Sequence, residues 1–278
     1  MALAVMMDHP LLACCNFIPE VEQLRQFALD LRFKGIDWTF TLDNLPESPA
    51  GEAELARALS CLQPLEVRYH LAFHGMDLGD DNQEEAKRAL QVFREVCRLI
   101  SKLGGRFVTI HVGGLGRESS WELSWQTAIK ALRDLVQFAN RLGLRLCVEN
   151  LAWGWSSRPW LYEKLLRFSG AWATLDVGHS KICQEVQSGG YRVQDFVSPH
   201  PGRFVNAHVY DEENEVGHIP PIHLTDVEDR LHLLDNLPQC DWWVLELREE
   251  GPLRQTLGVV EEYLQSRSSG QNARKKTR

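Results

Sequence analysis

"FVTIHVGG", residues 107–114, places four strand-forming residues ahead of a histidine and two glycines. The run has the apolar, β-branched character of a strand covered on both faces, and the glycines mark where the chain turns out of it. His111 therefore stands at a strand end. A lone histidine there is usually a hydrogen-bonded structural residue, so its meaning depends on how the other strands end.

Outward from this stretch, short β-rich runs alternate with longer amphipathic ones. The strands are expected at Leu11–Phe17, Gly35–Phe40, Leu65–Ala72, Arg106–Val112, Arg145–Leu151, Trp172–His179, Phe204–Tyr210 and Trp242–Arg248. Between them, "PEVEQLRQFALDLRFKG" puts Val21, Leu24, Phe27, Ala28 and Leu31 on one helical stripe, and Gly35 follows as a stop signal. The helix after the fourth strand is expected to take Ser119 or Ser120 as its N-cap. Eight strand-then-helix rounds are the arithmetic of an α/β (β/α)8 TIM barrel, one domain over residues 1–266. A doubly wound open sheet fits less well, because no GxGxxG follows the first strand. Residues 267–278 are polar and basic without periodicity, and read as a disordered tail.

In a closed barrel the C-terminal strand ends meet at one mouth. Strands three to eight end, in order, on His70, His111, Glu149, Asp176 with His179, His208, and Glu246. Asp and Glu number 38 and His 10 in 278 residues, too few for six consecutive endings of this kind to be expected by composition. Clustered carboxylates repel unless a cation or proton intervenes, and interleaved neutral imidazoles suit Zn2+, Mn2+ or Co2+. Seven cysteines, at 14, 15, 61, 97, 147, 183 and 240, contain no CxxC, so neither a zinc knuckle nor a disulfide framework is written here and a reducing cytoplasm is expected. The amino-terminal stretch is apolar but has no basic n-region and is interrupted by Asp8 and Pro10. No other stretch approaches 18 uninterrupted apolar residues, so no membrane span is expected. The formal charge of −8 argues mildly against a partner held mainly by phosphate neutralisation.

Taken together, "CVENL", "LDVGHS", "AHVYDEENEVGHIPP" and "VLELR" resemble the xylose isomerase-like TIM barrels, a family that includes sugar isomerases and epimerases and the endonuclease IV-like phosphoesterases. The resemblance covers nearly the whole chain. For the epimerase branch it implies one metal on Glu149, Asp176, His208 and Glu246, with the two glutamates as acid/base pair and His179 touching substrate. For the endonuclease-like branch it adds His70 and His111, which with Glu149 hold a second metal, and a third site on His179 and His218. Where that branch carries an aspartate two residues before His218, this chain has Val216, and Glu215 or Asp211 is expected to substitute.

A mononuclear epimerase has no chemical need of His70 and His111, whereas a second metal bridged by Glu149 does. Phosphoester hydrolysis with two or three zinc or manganese ions is therefore favoured over isomerisation, and water supplies the nucleophile. Arg117 and Arg248 are candidate phosphate contacts. The loops "GGLGRESS" and "AWGWSSRPW" carry one arginine each, which disfavours nucleic acid and an abasic-site endonuclease. They are rich in tryptophan instead. Trp121 and Trp125 fit helix packing equally well, while Trp153 and Trp155 are expected to line a pocket for a large apolar ligand. "HLAFH" and the lack of DNA-binding loops resemble the cobamide-remodelling phosphodiesterases, so a small-molecule phosphoester, specifically a corrinoid, is the expected substrate. His74 is the alternative to His70 if the third strand is out of register.

Overall fold

The computed structural model describes residues 10–114 and 123–276. The chain runs β1 (Leu11–Cys15), α1 (Val21–Asp30), β2 (Gly35–Phe40), α2 (Pro49–Ser60), β3 (Glu66–Leu71), α3 (Gln83–Lys102), β4 (Phe107–Ile110) and α4 (Trp125–Arg141). It continues through β5 (Arg145–Glu149), α5 (Pro159–Ser169), β6 (Trp172–Asp176), α6 (Val177–Ile182), α7 (Gln184–Gln187), α8 (Gln194–Val197) and β7 (Phe204–Val209). The last elements are β8 (Glu212–Asn214), β9 (Gly217–Ile219), α9 (Glu228–Asp235), β10 (Trp242–Leu245) and α10 (Glu250–Lys276). Eight parallel strands close in the order β1-β10-β7-β6-β5-β4-β3-β2. This is the expected (β/α)8 barrel. β8 and β9 form a separate antiparallel hairpin immediately after β7.

The barrel forms because each strand has two buried faces, one toward the helices and one toward the lumen; β7, "FVNAHV", is buried along its whole length. The helices supply the outer cover. In α3 the buried residues Ala86, Ala89, Phe93, Val96, Cys97 and Ile100 recur at three- and four-residue spacing, and Asn82 caps the helix by accepting from the Glu84 amide at 3.0 Å. Each of the larger side chains, Phe93 and Ile100, contributes about 1.5–3 kcal/mol by leaving water.

The lumen is filled in layers. At its floor the buried Arg68 guanidinium lies over the rings of Phe107 (3.9 Å) and Trp242 (4.4 Å) and donates to Asn206 Oδ1 at 2.7 Å. Above it, the hydroxyls of Thr109 and Thr174 meet at 2.8 Å, and the Asn206 side-chain amide donates to both. These bonds satisfy buried polar groups and tie β4, β6 and β7 in one register. The pairing Thr174↔Asn206 then brings the residues two positions further on, Asp176 and His208, level at the mouth.

Most strands are a residue or more shorter than the sequence-based expectation, β4 ending at Ile110 and β10 at Leu245, and three further differences bear on the site or the chain's end. β6 stops at Asp176, where its carboxylate caps α6 by accepting from the His179 amide at 2.7 Å, so His179 sits one helical turn beyond the strand. The cap of α4 is Ser124, which accepts from the Thr127 amide at 3.4 Å; Leu123 bridges Asp80 and the Ser124 amide donates to the Gly79 carbonyl, which holds Ser124 extended. Ser119, Ser120, Trp121 and Arg117 lie outside the described residues. The final helix continues to Lys276, through the segment expected as a tail from 267, and Arg267 pairs with Asp235 at 2.5 Å. No helix among the described residues is long and apolar enough to cross a membrane.

Candidate metal centre

Each strand end delivers its chemistry by alternation. The residues before and after a mouth-facing side chain point toward the helices, so His70, Glu149, Asp176, His208 and Glu246 enter the lumen while Leu71, Val148, Leu175, Val209 and Leu245 join the outer core. All five are buried at the mouth; His111 is partly exposed.

Three ligand atoms form a nearly equilateral triangle. His70 Nε2 lies 3.0 Å from His111 Nε2, and each is 3.3 Å from Glu149 Oε2. Ligands of one tetrahedral zinc, bound at about 2.0–2.1 Å, stand about 3.3–3.4 Å apart. The other oxygen, Glu149 Oε1, faces a second group: His208 Nδ1 lies 3.2 Å from it, 2.8 Å from Glu246 Oε2 and 3.7 Å from Asp176 Oδ2. One carboxylate thus spans both groups. A third group, His179, Glu213 and His218, lies beside them.

The hydrogen-bond census gives the same account. Among the described residues, the buried side-chain polar atoms without a protein hydrogen-bond partner are Asp37 Oδ2, His70 Nδ1, Glu149 Oε2 and both ring nitrogens of His208, with Arg94 Nε and Trp242 Nε1 elsewhere. Buried polar atoms are rarely left so. Glu246 Oε2 approaches His208 Nδ1 closely but off the direction of a hydrogen bond, as two ligands of one ion do. The donor set, carboxylate and imidazole without thiolate, fits Zn2+ or Mn2+.

Electrostatics requires positive charge in this pocket. Four carboxylates, Asp37, Glu149, Asp176 and Glu246, are buried together. Burial pushes the Glu149 and Glu246 carboxyls up, but the neighbouring imidazoles, His208 foremost, outweigh it and hold both below the usual carboxylate range. Burial likewise disfavours a charged His179, yet Asp176, Glu213 and Glu149 lift its imidazole to about 10. His208 is raised in the same way by Glu149 and Glu246. His70 goes the other way: burial dominates and takes it down to about 3. The carboxylates thus favour positive charge on His179 and His208.

Surrounding residues aim the ligands. The Asn150 side chain clasps the Asp176 backbone, donating to its carbonyl at 2.9 Å and accepting from its amide at 2.8 Å, which fixes the ends of β5 and β6 together. Tyr210 donates its hydroxyl to Asp176 Oδ2 at 2.9 Å. His179 Nδ1 faces the Asn150 carbonyl at 3.1 Å and His218 Nδ1 the Glu246 carbonyl at 2.6 Å, so each presents Nε2 to the third group. His218 also stacks flat on Tyr210, ring centroids 3.9 Å apart.

The carboxylate of the third group is Glu213, which sequence reasoning missed. The expected substitutes are elsewhere: Asp211 Oδ1 is held by Lys181 and Arg230, each at 2.7 Å, and Glu215 is exposed at the hairpin turn. Glu213 faces His218 as a cross-strand partner in the β8–β9 register. An alternating reading of "EENEVGHI" around its turn would have found it. Asp37, in the middle of the buried strand "GIDWTF", was also missed; an acid in an apolar run was its signal.

Of the other expected residues, Trp153 lies 5.9 Å from the His179 ring, at the mouth. Trp155 is engaged in packing: its ring meets Trp125 at 5.2 Å, its amide donates to the Gly113 carbonyl, and a side chain at Gly113 would collide with its indole. Arg248 reaches Thr39 Oγ1 at 3.3 Å, near Glu246 and Asp37. His74 is exposed, and the histidine of β3 in the cluster is His70.

Residues 26–260 match the family described as xylose isomerase-like TIM barrel. An uncharacterized protein of Methanocaldococcus jannaschii is 28% identical over 170 residues, 60% of this chain and 71% of that protein. Among solved structures, a D-tagatose 3-epimerase-like protein superposes with a TM-score of 0.70 at 16% identity, over 93% of this chain and 98% of its own. Endonuclease IV from Thermus thermophilus superposes with a TM-score of 0.64, also at 16% identity, over 92% and 100% of the two chains. With its closed barrel and a family match over most of its length, the chain belongs to the xylose isomerase-like TIM barrel family.

Proposed function

We propose that this protein is a metal-dependent phosphoester hydrolase with a di- or trinuclear centre. The observation that carries the reading is the triangle of His70 Nε2, His111 Nε2 and Glu149 Oε2, a set of ligands that a single-metal isomerase does not need. His70, His111 and Glu149 would hold one ion, Glu149 with Asp176, His208 and Glu246 a second, and His179, Glu213 and His218 a third. Divalent cations in such sites act as Lewis acids toward a phosphoryl oxygen and activate water at neutral pH.

The residues of the chain do the positioning. Glu149 fixes the spacing of the first two groups by giving one oxygen to each, and Tyr210 and Asn150 hold Asp176 against the repulsion of Glu149 and Glu246. Arg248, exposed at the rim, offers its guanidinium to a non-bridging phosphate oxygen. No side-chain nucleophile is required.

For the substrate we favour a small-molecule phosphodiester with a large apolar body, and a corrinoid nucleotide loop first. Trp153 beside His179 gives a flat apolar wall within the site. The one arginine of the loop after β5, Arg158, is paired with Glu185 at 3.4 Å rather than poised for a nucleic-acid backbone.

A sugar isomerase or epimerase is the second reading, because the Glu149, Asp176, His208 and Glu246 group is complete without the two added histidines. One experiment separates them. Wild type and the His70→Ala/His111→Ala double variant are purified without chelator, their metal content is measured, and both are assayed on bis-p-nitrophenyl phosphate and on adenosylcobalamin. Hydrolysis needs two or more metal equivalents in the wild type and loss of both metal and turnover in the variant. One equivalent, unchanged in the variant, makes the epimerase the working function; adenosylcobalamin left intact while the model diester is cleaved excludes the corrinoid alone.

A further inference from the structure

Asp37 has no part in any of the three groups through which the function is proposed. It lies in β2, is 2% exposed, and stands where a buried strand calls for an apolar side chain. A buried carboxylate oxygen without a donor costs stability. Asp37 Oδ2 has no protein donor. Such a residue persists where it serves something other than the fold.

Its surroundings indicate what that is. Asp37 Oδ2 lies 3.8 Å from His70 Nδ1, and Asp37, His70 and His208 each bring one side-chain nitrogen or oxygen within 4.8 Å of the others'. For His70 to give the lone pair of Nε2 to a cation, its proton must sit on Nδ1. That N–H faces two carboxylates, Asp37 Oδ2 and, at 3.6 Å, Glu246 Oε1. Glu246 turns its other oxygen, Oε2, to His208 Nδ1 at 2.8 Å and belongs to the second metal group, whereas Asp37 belongs to none of the three. His208 repeats the pattern: Nδ1 looks into the carboxylate group, while Nε2 is unpartnered.

We propose that Asp37 is a positioning residue of the metal centre, the carboxylate that holds the proton of His70 on Nδ1, supports the Nε2–H of His208, and so aims the opposite nitrogen of each ring at its metal. The role rests on the metal reading of the site and is the same whether the enzyme hydrolyses a phosphoester or isomerises a sugar. It sets stability against binding: the residue weakens the metal-free fold and strengthens the hold on metal.

Asp37→Asn and Asp37→Leu are compared with wild type in two measurements, the melting temperature of the chelator-treated protein and zinc affinity by competition with a chromophoric chelator. The expected result is opposed shifts. Both variants melt at or above wild type without metal, and zinc affinity falls about 10–100-fold, less for asparagine, which keeps an acceptor oxygen. Unchanged affinity overturns the role. So does a loss of affinity accompanied by a lower metal-free melting temperature, the mark of a residue that serves only the fold. Wild type that takes up no zinc overturns the metal reading and the role together, whereas variants that bind as wild type does overturn the role alone.

Discussion

Raising the pH should destabilise the metal-free protein and strengthen its hold on metal over the same interval. His179 is lifted from 6.5 to about 10 by Asp176, Glu213 and Glu149 against the opposing effect of burial. A histidine that binds its proton more tightly when folded contributes stability that is fully present below pH 6.5 and is lost as the pH climbs toward 10. At about 1.36 kcal/mol per unit, the interval from pH 6.5 to 8.5 removes roughly 2–3 kcal/mol. His208, shifted in the same direction, and Asp37, raised by burial to about 7, act with the same sign. Staying below pH 8.5 keeps out the buried thiols of Cys14, Cys97 and Cys147, which are pushed up to about 12 and would add their own loss at higher pH. The assay is urea unfolding at pH 6.5, 7.5 and 8.5, with chelator and with saturating zinc. Metal displaces the same protons, so the stability added by zinc should grow with pH. Metal-free protein equally stable at both ends of the interval would refute the reasoning, as would a His179→Gln variant that keeps the full slope.

Other outcomes follow from single contacts. Glu213→Ala should lower the metal stoichiometry by one equivalent and leave the barrel's melting temperature within a few degrees of wild type, as read by elemental analysis and calorimetry; unchanged metal content would remove Glu213 from the third group. A methyl group at Gly178 would stand 2.0 Å from the Tyr210 ring, so Gly178→Ala should cost about 1–3 kcal/mol in thermal or chemical denaturation. It should also weaken metal binding by displacing the hydroxyl that bonds Asp176. Trp153→Ala should raise KM for the cleaved phosphodiester at little cost in stability, whereas Trp155→Ala, which opens the packing against Trp125 and Gly113, should cost about 3–5 kcal/mol of stability; the reverse ranking in a melting series would contradict the packing described.

The barrel and most of its mouth were legible because both depend on strand ends. Strands buried on two faces have little choice of composition, and a ligand at the end of each strand needs only the barrel's closure to be brought together. What was not legible depends on register in short elements. Four acids, Asp211, Glu212, Glu213 and Glu215, crowd the segment after β7, and only the pairing of Glu213 with His218 across a hairpin selects one of them. The cap of α4 was misplaced for a similar reason, since the backbone bond from Ser124 to Gly79 comes from a different loop. Trp155 shows that a tryptophan beside a mouth can be committed to its neighbours, here through a glycine 42 residues earlier whose missing side chain makes room for it.

Arg68 closes the far end of the lumen. Its guanidinium, wedged between aromatic rings and bonded to Asn206, leaves the barrel as a vessel with one opening. Reactant, product, water and ions must all use the same doorway, so a molecule lingering after reaction blocks its successor as well as the replenishment of metal. Turnover and metal exchange should therefore compete, and a tightly held product should slow the stripping of metal by a chelator in proportion to its residence time.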